Sequence, residues 1–202
     1  MMDADLYLDR IDISRYWPKN AGISSEKAIS DVKAGKTRLE DYSFLSCQQI
    51  QAFQLVINAK NYLSPVPMMT VPQPIKAEII PLNGPDENSL VVVTGNNQHT
   101  VNVLTSIWAQ GNTPAYFAMV DCLGSTVDMA IVFGDFSPER LQQTLMNYRL
   151  GELVSHRHMI VPGLTSPLAT YFREATSWEI EIGPVCAVEL PLALGNRWIS
   201  NA

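Results

Sequence analysis

The sequence predicts an α/β fold, a parallel sheet of Rossmann or flavodoxin-like type with helices on both faces, preceded by a small helical N-terminal module. Three observations predict it. From Leu90 onward, short β-rich runs alternate with helical segments, the order that builds a parallel sheet covered on both faces. Two helix starts in that region are sharply marked, Ser137-Pro138-Glu139 and Ser166-Pro167, each a capping serine followed by proline in the first turn. Before Leu90 the chain is helical to about residue 62 and then rich in proline.

In chain order, "SSEKAISDVKAGK" offers Ser24 as a cap, Ala28, Ile29 and Val32 as an apolar stripe, and Gly35 as a stop. "CQQIQAFQLVINAKNYL" carries Ile50, Phe53, Leu55, Val56, Ile57 and Tyr62, a helical pattern. Pro65, Pro67, Pro72, Pro74, Pro81 and Pro85 then forbid a helix. This stretch reads as an extended linker, with an edge strand expected around Lys76 to Ile80. Residues 90–94, 115–121, 158–161 and 178–182 read as strands. Helices are expected near Thr100–Ala109, Pro138–Tyr148, Pro167–Ala175 and Ala187–Leu194, with Gly151 and Gly195 as stops. The expected organisation is a helical module over 1–62, a proline-rich linker over 63–89 and an α/β domain over 90–202.

The 202 residues suffice for one well-cored domain. A formal charge of −6 argues against a nucleic-acid partner, which demands a basic stripe. No apolar run approaches the roughly 20 residues that span a bilayer, and the acidic, mixed N-terminus is unlike a signal peptide. Cys47, Cys122 and Cys186 are widely spaced and form no C-x-x-C pair. They read as reduced thiols of a cytoplasmic protein.

In open α/β sheets, ligands sit outside the carboxyl ends of the strands. The four ends here, "TGNNQHT", "DCLGST", "PGLTS" and "GPVCA", each carry a glycine with small or amide neighbours. That pattern lets backbone approach a ligand and donate N–H groups at helix starts. No G-x-G-x-x-G, Walker A, G-x-S-x-G or H-E-x-x-H motif is present. Asp121 is the sole carboxylate at these turns and reads as a strand-end cap. No acid–base pair can be nominated, so the edge is suited to a ligand that brings its own reactivity.

His99, Cys122 and Cys186 all fall at strand ends but lack the short-range spacing of structural zinc ligands. His156 and His158 read as structural, with Arg157 tying a nearby carbonyl or carboxylate. Trp17, Trp108, Trp178 and Trp198 read as core, as do Met119 and Met146. Met129, on the helix straight after "LGST", is less easily assigned to packing.

The segments "VVVTGNNQHTVNVL", "VDCLGSTVDMAIVFGDF", "VSHRHMIVPGL" and "WEIEIGPVCAVELPLAL" together resemble the C-terminal corrinoid-binding domain of the corrinoid/iron–sulfur protein large subunit. Its most specific pieces are "SHRHMIVPGL", similar to S-H-R-x-L-I-x-P-G, and "WEIEIGP", similar to G-W-x-V-x-x-G-P. The segment "WPKNAGISSEKAISDVKAGKTRLEDYSFLS" resembles, more faintly, the four-cysteine cluster module of the same family. Ala21 follows Asn20, and Tyr42-Ser43 stand where Cys-Pro would be. Without those thiolates no iron–sulfur cluster is expected. The barrel domain that separates the two parts in that family has no counterpart here.

The resemblance implies a cofactor, cobalamin or a related corrinoid with its cobalt, and assigns residues to it. Thr94, Gly95, Asn96, Asn97 and Thr100 would touch it from the first strand. Leu123, Gly124, Ser125, Thr126, Val127, Met129 and Ala130 would form a cap beneath the ring. Pro162, Gly163 and Leu164, with Gly183, Pro184, Val185, Cys186 and Ala187, would line the pocket of its nucleotide tail. In a mercury-methylating relative a cysteine on the cap faces cobalt, and Met129 stands at the corresponding place. A thioether is a weak, soft ligand, so Met129 is a weak axial contact at most. "DCLGS" lacks the histidine of D-x-H-x-x-G, which implies a base-off corrinoid without protein histidine on cobalt. Weak lower ligation favours Co(I), the methyl-accepting form.

The implied function is a methyl-group or corrinoid carrier in one-carbon metabolism, without turnover of its own. Its expected partners are a methyltransferase, a reductive activator, and a second subunit or second copy covering the ring. Two other readings stay open: a cofactor-less adaptor or regulatory paralogue, and a flavin or nucleotide enzyme on a similar sheet.

Overall fold

The computed structural model describes residues 11–66 and 71–201. The N-terminal ten residues and Pro67, both used in the sequence reading above, lie outside the described residues. Five strands form one sheet in the order β1-β3-β2-β4-β5. They are β1 (Ile79–Leu82), β2 (Leu90–Gly95), β3 (Ala115–Val120), β4 (His158–Val161) and β5 (Glu179–Ile182). β2 to β5 run parallel, and β1 pairs antiparallel with β3 from Ile79 opposite Ala118 to Leu82 opposite Ala115. The edge strand therefore exists, three residues beyond the expected start, because Pro74 and the residues after it are engaged elsewhere. The fold is the α/β sheet that the sequence predicts.

The helices are α1 (Ser25–Lys33), α2 (Cys47–Ile57), α3 (Gln98–Trp108), α4 (Val127–Phe133), α5 (Pro138–Asn147), α6 (Leu150–Leu153), α7 (Ala169–Thr176) and α8 (Leu190–Leu194). The caps of Ser24 and Ser137 form as predicted, each hydroxyl accepting a backbone N–H three residues on. Ser46 adds a reciprocal cap with Gln49.

Two boundaries and the burial of one side chain differ from expectation. Ser166-Pro167 does not start a helix: Pro167 sits inside a 3-10 segment, Gly163–Leu168, and α7 begins at Ala169. Gly151 is not a stop but lies within α6, while Arg149 in left-handed conformation (φ 51°) separates α5 from α6. Met146 is 69% exposed rather than core, because α5 turns Leu141, Thr144 and Leu145 inward and leaves the next position facing water.

Alternation along β2 explains why its residues Leu90 to Val93 are all apolar. Val91 and Val93 join one core with α4, α5 and α7, whereas Val92 joins the other with α3, α8 and the N-terminal helices. Sheets covered on both faces require such strands. The second core is continuous from Trp17 and Phe53 through Trp108 and Phe117 to Trp198. All four tryptophans are buried, as read from the sequence. Buried Glu189 fastens the N-terminal segment to the start of α8, accepting from the Asp12 backbone N–H at 3.2 Å and from the Tyr16 hydroxyl at 3.0 Å. Burial holds this carboxyl above its ordinary range.

A candidate ligand-binding face at the strand ends

The carboxyl ends of β2, β3, β4 and β5 carry the four glycine-bearing loops, as predicted. Their asparagines are spent within the protein. The Asn97 side chain caps α3, its oxygen accepting from the His99 and Thr100 N–H groups, and its amide donates to the Gly124 carbonyl at 2.6 Å. The Asn96 side chain, 2% exposed, is equally occupied. Both residues shape the face rather than offer it free donors.

Gly124, Gly163 and Gly183 are crowded by the chain itself, whereas a Cβ at Gly95 would meet only ordinary contacts, the nearest Cys122 Sγ at 3.4 Å. A Cβ at Gly163 would lie 2.6 Å from the Pro184 carbonyl carbon and from the Val185 nitrogen. A Cβ at Gly124 would fall 2.5 Å from Pro74 Cδ and 2.6 Å from its Cα, at a φ of +77°. Gly183 faces Ile160 and the Val161 carbonyl at 3.0 Å. The sequence reading assigned these glycines to a ligand. The chain's own packing requires a glycine at Gly124 and Gly163 whatever lies on the face, a contact that chain order alone does not reveal.

The distinctive feature is α4, "VDMAIVF". Val127 and Ala130 pack into the core, yet Met129 (40% exposed), Val132 (74%) and Phe133 (64%) form an outward stripe at i, i+3 and i+4. Leu123, 55% exposed, precedes the helix with φ 55°. Left-handed backbone costs a non-glycine residue about 1–2 kcal/mol. It is held here by the Leu123 N–H donating to Asp121 Oδ1 and by Asn96 Oδ1 accepting the N–H groups on either side. Asp121 is thus the turn residue that the sequence indicated, and Arg140 anchors its carbonyl at 2.6 Å. Four apolar side chains around one short helix are more than scattered surface hydrophobics explain. Val132 and Phe133 were missed in the sequence reading, although apolar residues on every face of a short helix could have flagged them.

The remaining nominated positions divide by burial. Thr94, Gly95, Ser125, Pro184 and Cys186 are buried, Thr100, Thr126, Pro162, Gly163, Leu164, Gly183 and Ala187 are half-buried, and Val185 is exposed. Val185 therefore adds an apolar side chain at the β5 end. Burial pushes the Cys122 thiol up to about 12, so it is a neutral packing group. Among the described residues no three His, Cys, Asp or Glu side chains converge, and His99, Cys122 and Cys186 form no such cluster. His156 Nε2 lies 3.0 Å from the Ser89 carbonyl, and Arg157 donates to the Val154 and His156 carbonyls. The SHR motif thus closes the opposite end of β4. A separate cleft of about 320 Å³ lies between α2 and α8, where Gln48 and Gln49 amides are engaged in internal bonds.

The chain is an α/β domain with a five-stranded, mostly parallel sheet and an apolar helix exposed beside its strand ends. Residues 41–193 match the CO dehydrogenase/acetyl-CoA synthase delta subunit family, and the chain belongs to that family. Relatives include acetyl-CoA decarbonylase/synthase complex gamma subunits. The one from Methanopyrus kandleri is 24% identical over 81% of this chain and 37% of its own length. The one from Methanocaldococcus jannaschii is 26% identical over 63% of this chain and 26% of its own. The corrinoid/iron–sulfur protein large subunit of Moorella thermoacetica is 29% identical over 63% of this chain and 30% of its own. The chain spans roughly a quarter to just over a third of these relatives. No helix among the described residues is long and apolar enough to cross a membrane.

Proposed function

We propose that the protein binds a cobalamin-type corrinoid at the strand-end face and acts as a methyl-group or corrinoid carrier for partner proteins. The observation that carries this reading is the apolar stripe of α4 with Leu123, which matches a broad apolar ring better than a polar nucleotide. Leu123 and Met129 would lie against the ring, with Val132 and Phe133 extending that surface. The loops at Pro162–Leu164 and Gly183–Ala187 would take the tail. The chain's residues orient the ring and exclude water beneath it, and Met129 presents only a soft thioether. When bound, the corrinoid supplies a cobalt centre that accepts and passes on a methyl group. The donor set fits a base-off corrinoid without histidine. A methyltransferase, a reductive activator and a second subunit over the ring are the partners this role requires, and the cytoplasm its compartment.

The adaptor reading is favoured by one observation, the internal crowding of Gly124 and Gly163, which makes these glycines necessary with or without a cofactor. One experiment separates the two. The purified protein is incubated with cobalamin under reducing, anaerobic conditions, gel-filtered, and its absorption spectrum recorded. Stoichiometric co-elution with a base-off spectrum supports the carrier. Complete separation of protein and cobalamin removes the carrier reading and leaves the adaptor.

A further inference from the structure

We infer that Asn96 is a positioning residue that joins a strap of the chain, Gln73–Ile75, to the loop leading into α4, so that strap and loop hold the apolar stripe as one unit. Every hydrogen-bonding position of the Asn96 side chain is used. Its nitrogen donates to the Ile75 carbonyl at 2.9 Å and to Asp121 Oδ1 at 3.1 Å. Its oxygen accepts the Cys122 N–H at 2.8 Å and the Gly124 N–H at 3.2 Å. One side chain thus grips the strap with one donor, at the Ile75 carbonyl, and the loop with its other donor and its acceptor.

The strap is also bound directly to that loop and to the β2 end. The Gln73 N–H donates to the Gly124 carbonyl at 2.9 Å, the Ile75 N–H to the Asn96 carbonyl at 3.0 Å, and the Gln98 N–H to the Gln73 carbonyl at 2.9 Å. Pro74 bridges antiparallel to Asn97 and packs on Gly124, where no Cβ fits. Val71, Pro72, Gln73 and Pro74 are all exposed, so backbone bonds rather than buried apolar side chains seat the strap. The left-handed Leu123–Gly124 pair depends on the same Asn96 oxygen. Releasing the strap therefore loosens the turn that projects Leu123 and starts α4. Only an amide serves both sides, because a carboxylate accepts but does not donate.

The functional half of this inference rests on the corrinoid reading, and the structural half does not. Asn96→Asp keeps the acceptor and loses both donors. Gln73→Pro, at an exposed position, removes the strap donor without touching the core. Amide hydrogen exchange on both full-length variants, without ligand, should show the Gly124 and Ser125 amides exchanging at least about tenfold faster, some 50 residues from the Gln73 substitution. Cobalamin affinity should fall about tenfold in both, with a changed bound cob(II)alamin spectrum. Gln73→Pro should keep a thermal midpoint near that of the parent protein, whereas Asn96→Asp, which buries a carboxylate beside Asp121, should lower it. Faster exchange confined to the strap, or cobalamin affinity that is unchanged or higher, overturns the inference. If the parent protein binds no cobalamin, the corrinoid reading fails, and the exchange measurement alone decides whether strap and loop are coupled.

Discussion

Single side chains at the strand ends serve geometry before chemistry. Gly124→Ala and Gly163→Ala should each destabilise the protein by about 1–3 kcal/mol through overpacking, Gly124→Ala more because its φ is left-handed. Urea unfolding without ligand checks this, since a purely ligand-facing glycine would leave stability unchanged. Cys122 gives a pH signature. Its folded-state pKa is raised to about 12 by burial, above the ordinary range of a thiol. The folded state therefore holds the proton longer, and the stabilisation is complete below pH 9 and is lost as pH rises toward 12. Unfolding midpoints that decline more steeply above pH 9 than those of Cys122→Ala are the expected result. The positions of the strand-end loops were legible in the sequence from glycine and asparagine clusters. The roles were not, because Pro74 meets Gly124 and Gly163 meets Pro184 only after long stretches of chain have folded.

At the level of elements, α4 and the next helix, α5, play opposite parts, one exposing an apolar face and the other covering the sheet. Phe133→Asp replaces a largely exposed side chain and should leave unfolding free energy within about 0.5 kcal/mol of the parent, while cobalamin no longer co-elutes with the protein. Thermal unfolding and gel filtration on the same sample separate the two effects. Ser137→Ala, by contrast, removes the α5 cap and should cost about 1 kcal/mol without altering cobalamin retention. The α5 start was readable from Ser137-Pro138 because capping is local. Ser166-Pro167 carries the same letters yet lies within a 3-10 segment, held by the crowded contact of Gly163 with the β5 loop. Local signals fail where tertiary packing sets the backbone. The outward face of α4 was half-legible: Met129 stood out, whereas Val132 and Phe133 were not singled out, because sequence does not say which face of a short apolar helix is covered.

Across the whole molecule, the N-terminal helices and the sheet share one hydrophobic core, with Trp17, Phe53, Leu192 and Trp198 in a single cluster. Deleting residues 1–62 should therefore leave residues 63–202 without a cooperative transition, losing the near-ultraviolet circular dichroism of its buried tryptophans. A fragment that melts cooperatively would show the helices to be dispensable. The alternation of strands and helices made the α/β class readable from sequence. The dependence between its parts was not, because Trp17 and Leu192 are far apart in the chain and nothing in either segment names the other.

The sheet closes differently at its two margins. β1 covers one side by pairing antiparallel with β3, whereas β5 leaves its outer side without a neighbour among the described strands. Glu179 and Glu181 stand two apart on that margin, Glu181 held by a bidentate contact with Arg197. With Glu181 compensated by Arg197, exposed Glu179 is the acidic side chain that two molecules meeting there would bring together, which discourages strand addition between copies. Charge at Glu179 is what this margin sets against strand addition, so Glu179→Gln should raise light scattering at high concentration relative to the parent protein.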